Sequence, residues 1–125
     1  MKIIFAIATG GAIGAVSRYL VMIRTANLLG MGFPYGTVTV NVAGSFLLGV
    51  LIEGSALAWD VGQELRAFLV VGVLGGFTTF STLSLDFVAP YERGQLLTAA
   101  GYAVGSVVLG VSALVAGMIA LRTLL

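Results

Sequence analysis

The chain has 125 residues, 59% of them hydrophobic and 9% charged, with a net charge of +1 and a mean hydropathy of +1.12. Soluble domains carry roughly 25% charged residues, so this composition leaves too little polar surface to face water and excludes a soluble fold. Cysteine and histidine are both absent and the six Lys and Arg form no cluster, which removes thiol chemistry, the common zinc and haem ligands, and nucleic acid as a partner.

A helix that crosses the hydrocarbon core needs about 20 mainly apolar residues. Four segments qualify: Ile3 to Ile23, Thr37 to Ala58, Ala67 to Ala89, and Leu96 to Leu121. The expected architecture is all-α and integral to the membrane, a single four-helix subunit over residues 1–125. The first segment follows Lys2 and resembles a signal peptide. It is too long for one, and it lacks a small-x-small cleavage site followed by polar sequence, so it is read as a retained helix. Short polar joints separate the spans: Arg24, Asn27 and Gly30 to Pro34; then Asp60, Gly62, Gln63 and Glu64; then Pro90 to Gly94.

With four spans, Lys2, Arg66 and Arg122 fall on one side and Arg24 and Arg93 on the other, with Arg18 toward that second side. Orientation follows the side richer in Lys and Arg, and here neither side is. Such balance suits insertion in both orientations and pairing as an antiparallel dimer. The alternative is one orientation set by a single strong loop. Eighteen glycines fit close helix packing in lipid, through the pairs Gly10 and Gly14, Gly72 and Gly76, Gly101 and Gly105, Ala113 and Gly117, and Ser45 and Gly49.

Polar residues inside a span are functional candidates, because hydrocarbon does not satisfy them. In the second segment Thr37, Asn41, Gly44 and Ser45 share one stripe, and Asn41 carries two donors that need partners. Its simplest alternative role is an interhelical hydrogen bond. The third segment contains Gly75 and Gly76 followed by Phe77, Thr78, Thr79, Phe80, Ser81 and Thr82, where a break in the helix is expected. A break at bilayer depth is tolerated only where protein or a polar cavity covers it. An unbroken helix with Ser and Thr bonded to preceding carbonyls is the alternative. In the fourth segment Thr98, Tyr102 and Ser106 recur every four residues as a track of hydroxyls, which turns apolar at Gly110 and Leu114. Neutral donors without an embedded acid suit a small anion that must shed water. The nearest acids, Glu53 and Asp86, lie toward span ends. Arg18 is placed near the end of the first helix, to snorkel toward the interface or to draw anions into a vestibule.

Together, the runs GGAIGAVSRY (Gly10–Tyr19), GTVTVNVAGSF (Gly36–Phe46) and GGFTTFSTLS (Gly75–Ser84) resemble the Fluc, or CrcB, fluoride channels, and the likeness spans essentially the whole chain. The resemblance implies an antiparallel, dual-topology homodimer in the cell membrane with two pores, exporting fluoride that entered as neutral hydrofluoric acid. It implies that Asn41 and Phe80 border the pore, with Tyr102 on the pore side and the hydroxyls of Thr79, Ser81, Thr82 and Ser84 around the break. A structural sodium ion at the dimer interface is implied on the backbone carbonyls of Gly75 and Thr78. Arg18 matches a family arginine. Leu83 stands where the family has a second pore phenylalanine, and Asp86 stands where many members have glutamate. Two other readings compete: a small four-helix multidrug or guanidinium exporter, which would need a carboxylate that Ile3 to Ile23 lacks, and a non-transporting assembly factor.

Overall fold

A computed structural model describes residues 1–125. Helix α1 runs Lys2–Leu29 and α2 Tyr35–Leu57. The third span, Gln63–Glu92, is composite: α3 (Gln63–Arg66), a π-helical stretch (Ala67–Leu74), α4 (Gly75–Phe77) and α5 (Ser81–Glu92). Helix α6, Leu96–Leu124, completes the chain. All four spans are long and apolar enough to cross a membrane. Only 18 of 125 residues are buried, and the exposed ones include long rows of Leu, Val, Ile and Phe, as expected of a multi-pass protein solvated by lipid.

The helices outrun the apolar windows. Helix α1 passes through Arg24 and Asn27, both expected in a joint, and stops only where Gly30 adopts φ 83 and donates its N–H to Ala26. Hydropathy marks where a chain leaves hydrocarbon; a glycine in the left-handed region marks where the helix ends. Arg18 is therefore well inside α1 rather than near its end, and it is half-buried. Likewise Pro90 is buried within the last turn of α5. Its missing N–H deprives one preceding carbonyl of a partner, and the chain turns only at Gly94, φ 77.

Two sets of contacts fix the up-and-down order. Near one end, Nε of Arg122 on α6 donates to Oε1 of Glu53 on α2 at 3.0 Å. Near the other, Asp86 on α5 meets Thr37 at the start of α2 and Tyr102 near the start of α6. Lys2, Arg66 and Arg122 thus share one end, and Arg24 and Arg93 the other.

Lipid supplies no hydrophobic drive between helices, so close backbone approach must hold them. A Cβ on Gly10 would strike the carbonyl oxygen of Phe68, and one on Gly14 that of Val73; Gly72 and Gly76 face the backbone of Gly10 and Gly11 in return. On the other side, Gly49 abuts Leu114 and Gly117 abuts Phe46. The seams join α1 to the third span and α2 to α6. Gly101 and Gly105, an expected seam, have nothing within 4 Å of the position a Cβ would take.

Neighbouring glycines therefore respond oppositely to substitution. Gly10→Ala drives a methyl group into a backbone carbonyl and should lower stability by about 1–3 kcal/mol. Gly11→Ala enters open space and should stay within about 1 kcal/mol of the parent. Denaturant titration in detergent micelles reads both.

Candidate functional site

The site begins with one backbone peptide. After Phe77 the chain leaves helical geometry: Thr78 is extended at φ −88, ψ 158, and helix resumes at Ser81. The peptide groups of Thr79 would be orphaned at mid-membrane, where each unmet group costs several kcal/mol. Asn41 on α2 supplies both partners. Its Nδ2 donates to the Thr79 carbonyl at 3.0 Å, and its Oδ1 accepts the Thr79 N–H at 2.8 Å. A side-chain amide offers a donor and an acceptor side by side without carrying a charge.

This exchange has a consequence for the carbonyls before it. The N–H of Thr79 goes to Asn41, and the N–H of Thr82 goes to Oγ1 of Thr79 at 3.2 Å. Gly75 and Thr78 therefore lose the i+4 donors a continuous helix would give their carbonyls. Several hydroxyls are also committed. Thr78 donates to Leu74 at 2.9 Å and Ser84 to Phe80 at 3.1 Å, while Thr79 bonds Oγ1 of Thr82 at 3.2 Å, with Ser81 at 3.4 Å.

Beside this peptide opens a groove of about 540 Å³ between α2, the third span and α6. It brings together Asn41, Gly44 and Ser45 of the polar stripe, Gly75, Thr78, Thr79, Phe80 and Leu83 around the break, and Ser106. Its remaining wall is aliphatic. Phe80 is 78% exposed, its ring standing out from the protomer. Oγ of Ser106 is buried without any hydrogen-bond partner. The groove wall does not include Arg18, Ser81, Thr82, Ser84 or Tyr102.

Tyr102 instead belongs to a cluster that sequence reasoning did not assemble. Oδ2 of Asp86 accepts from Oγ1 of Thr37 at 2.6 Å and from the Tyr102 hydroxyl at 3.3 Å. Phe33 from the first joint lays its ring edgewise on Tyr102, with centroids 5.7 Å apart. Thr37, Asp86 and Thr98 line a second cavity of about 290 Å³ that opens toward Arg93 and the first joint. Tyr102 thus stands between a cavity reaching one membrane face and the mid-membrane groove holding Ser106. The missed signal was depth: the third span runs to Glu92, which carries Asp86 farther from the span end than the apolar window implied, at the level of Thr37.

The shorter bond in the cluster should matter more. Thr37 is 1% exposed, and removing one partner of a buried hydrogen bond leaves the other unsatisfied at a cost of about 1–3 kcal/mol. Thr37→Val should lower stability by about 2 kcal/mol, and Tyr102→Phe by less, in the same denaturant titration.

Comparison with known proteins places this geometry. The family model described as CrcB-like protein, Camphor Resistance (CrcB), matches residues 5–118. A protein of Rhodospirillum centenum is 51% identical over 123 residues, covering 98% of each chain. One from Nitrobacter winogradskyi is 50% identical over 121 residues, covering 97% of this chain and 96% of its own. One from Agrobacterium fabrum is 52% identical over 112 residues, covering 90% of each. All three bear the name fluoride-specific ion channel FluC. With a family match over nearly its whole length and relatives at half identity, the chain belongs to the CrcB family.

Proposed function

We propose that the chain is a subunit of a passive, fluoride-selective channel in the cell membrane, which lets fluoride leave the cell and so confers fluoride resistance. The observation that carries this reading is the groove beside Asn41: neutral donors and an aromatic edge converge at mid-membrane without a full charge among them. Fluoride is small and strongly hydrated. Neutral hydroxyl and amide donors replace its water without trapping it as an ammonium or guanidinium would. The edge of Phe80 carries positive quadrupole charge and its body excludes water. No bond is made or broken, so no enzyme chemistry is needed.

Fluoride passes from the cavity beside Thr98 and Thr37, past Tyr102, to Ser106 and Asn41, and onward between Phe80 and Leu83. Leu83 lacks an aromatic edge, so Phe80 alone supplies that contact from this chain.

The protomer is half of the channel. Non-helical backbone at bilayer depth must be covered by protein, and the groove, Phe80 and Gly75 all open outward. The occupant in this reading is a second copy in the opposite orientation. Lys2, Arg66 and Arg122 stand against Arg24 and Arg93, with Arg18 in the half of α1 nearer that second side, and so small a difference supports dual topology. The interruption after Phe77 is then a functional break whose open carbonyls meet at the dimer centre. The carbonyls of Gly75 and Thr78, freed of their helical donors, fit a hard cation that takes oxygen ligands, and we assign them a structural sodium ion.

Reconstitution tests the channel. Liposomes loaded with fluoride and made permeable to potassium should release fluoride within seconds through the wild-type protein, retain chloride, and do so equally with proton gradients collapsed. Phe80→Ala should slow release at least ten-fold while the dimer persists on size exclusion. Absence of fluoride release, or release that requires a proton gradient, would overturn the reading.

A further inference from the structure

On α6, Thr98, Tyr102 and Ser106 recur at every fourth residue, and the next positions on that face are Gly110 and Leu114. Followed along α6 alone, the hydroxyl row ends at Ser106. Another hydroxyl stands at that level on the facing helix. A Cβ on Gly110 would lie 3.7 Å from Oγ of Ser45, the one heavy atom within 4 Å of it. Ser45, Ser106 and Gly110 all line the groove that contains Asn41.

The hydroxyl protons point the same way. Ser and Thr in helices commonly donate back to a preceding carbonyl, as Thr9, Thr25, Thr39, Ser55 and Thr78 do here. Ser45 and Ser106 do not. Ser106 is 7% exposed, and its Oγ makes no hydrogen bond within ordinary distance. Two uncommitted hydroxyls therefore border one groove from different helices, Ser106 in the wall that holds Asn41 and Ser45 one turn farther along beside Gly110.

We infer that Ser45 is a pore hydroxyl, supplying from α2 the donor that position 110 lacks on α6. The row then crosses the groove: Tyr102, Ser106, Ser45. This rests on the fluoride-channel reading and assigns a further residue to that path. Past Ser106 and Asn41, the groove wall around Gly110 is otherwise aliphatic, with Leu48, Val107, Val111 and Leu114, so without Ser45 that part of the groove offers an anion no free hydroxyl. Gly110 puts no side chain of α6 beside the Ser45 hydroxyl.

The test moves the hydroxyl between helices. Ser45→Ala keeps a small residue in the seam with Gly49 but removes the donor, and it should slow fluoride efflux from liposomes at least ten-fold. Adding Gly110→Ser to Ser45→Ala restores a hydroxyl at the same level of the groove, where 3.7 Å is an ordinary contact, and should recover most of the rate. A purely structural role for Ser45 predicts no such rescue. Wild-type release with undiminished release through Ser45→Ala would overturn this inference alone, as would a loss that Gly110→Ser fails to repair in a protein that still runs as the wild type on size exclusion. No release through the wild type would overturn the channel reading and this inference with it.

Discussion

The side-chain amide of Asn41 clasps the peptide of Thr79, and the middle of the molecule depends on that exchange. At bilayer depth a peptide that leaves the helix has no water to turn to. By taking both the N–H and the carbonyl of Thr79, Asn41 lets the third span stop being a helix at its centre without leaving that residue's groups unmet. Extended geometry at Thr78 then frees the carbonyls before it and turns Phe80 outward. The same side chain lines the groove, and its second amide proton makes no bond in the protomer. Asn41 therefore holds the interruption together and contributes to the wall beside it.

That arrangement needs rigid surroundings, which the glycine seams supply. Gly10 and Gly14 bring α1 onto the π-helical stretch, and Gly49 and Gly117 bring α2 onto α6. The π-helical backbone presents its carbonyls at the places where α1 has no side chain. Such stretches often accompany functional sites, and this one leads directly into Gly75. The two pairs of helices then leave a groove between them rather than a closed core. Glu53 with Arg122 at one end, and Thr37 with Asp86 and Tyr102 at the other, tie α2 to its neighbours above and below the groove.

The number of spans and their alternation were legible in the sequence, because hydropathy is a local signal. Asn41, Phe80, Leu83 and Ser106 all lie where one groove gathers them. What was not legible required partners from other helices. Asn41 alone gave no sign that both faces of its amide would be claimed by Thr79, and the four-residue track of Tyr102 and Ser106 gave no sign that the Tyr102 hydroxyl would also reach Asp86. Helix ends were also misjudged, since Arg24 and Asn27 are polar enough to end a hydropathy window but not to end a helix. The π-helical register of Ala67–Leu74 has no counterpart in composition.

Hydrogen exchange at the Thr79 amide tests the central claim most directly. In wild-type protein in nanodiscs, resolved by NMR, this amide should exchange slowly despite lying outside any helix, because Asn41 Oδ1 holds its proton. In Asn41→Leu it should exchange at least ten-fold faster, with amides of α1 and α6 unchanged. Equal Thr79 exchange in the two proteins would contradict the account, for it would mean that something other than Asn41 holds the centre of the third span.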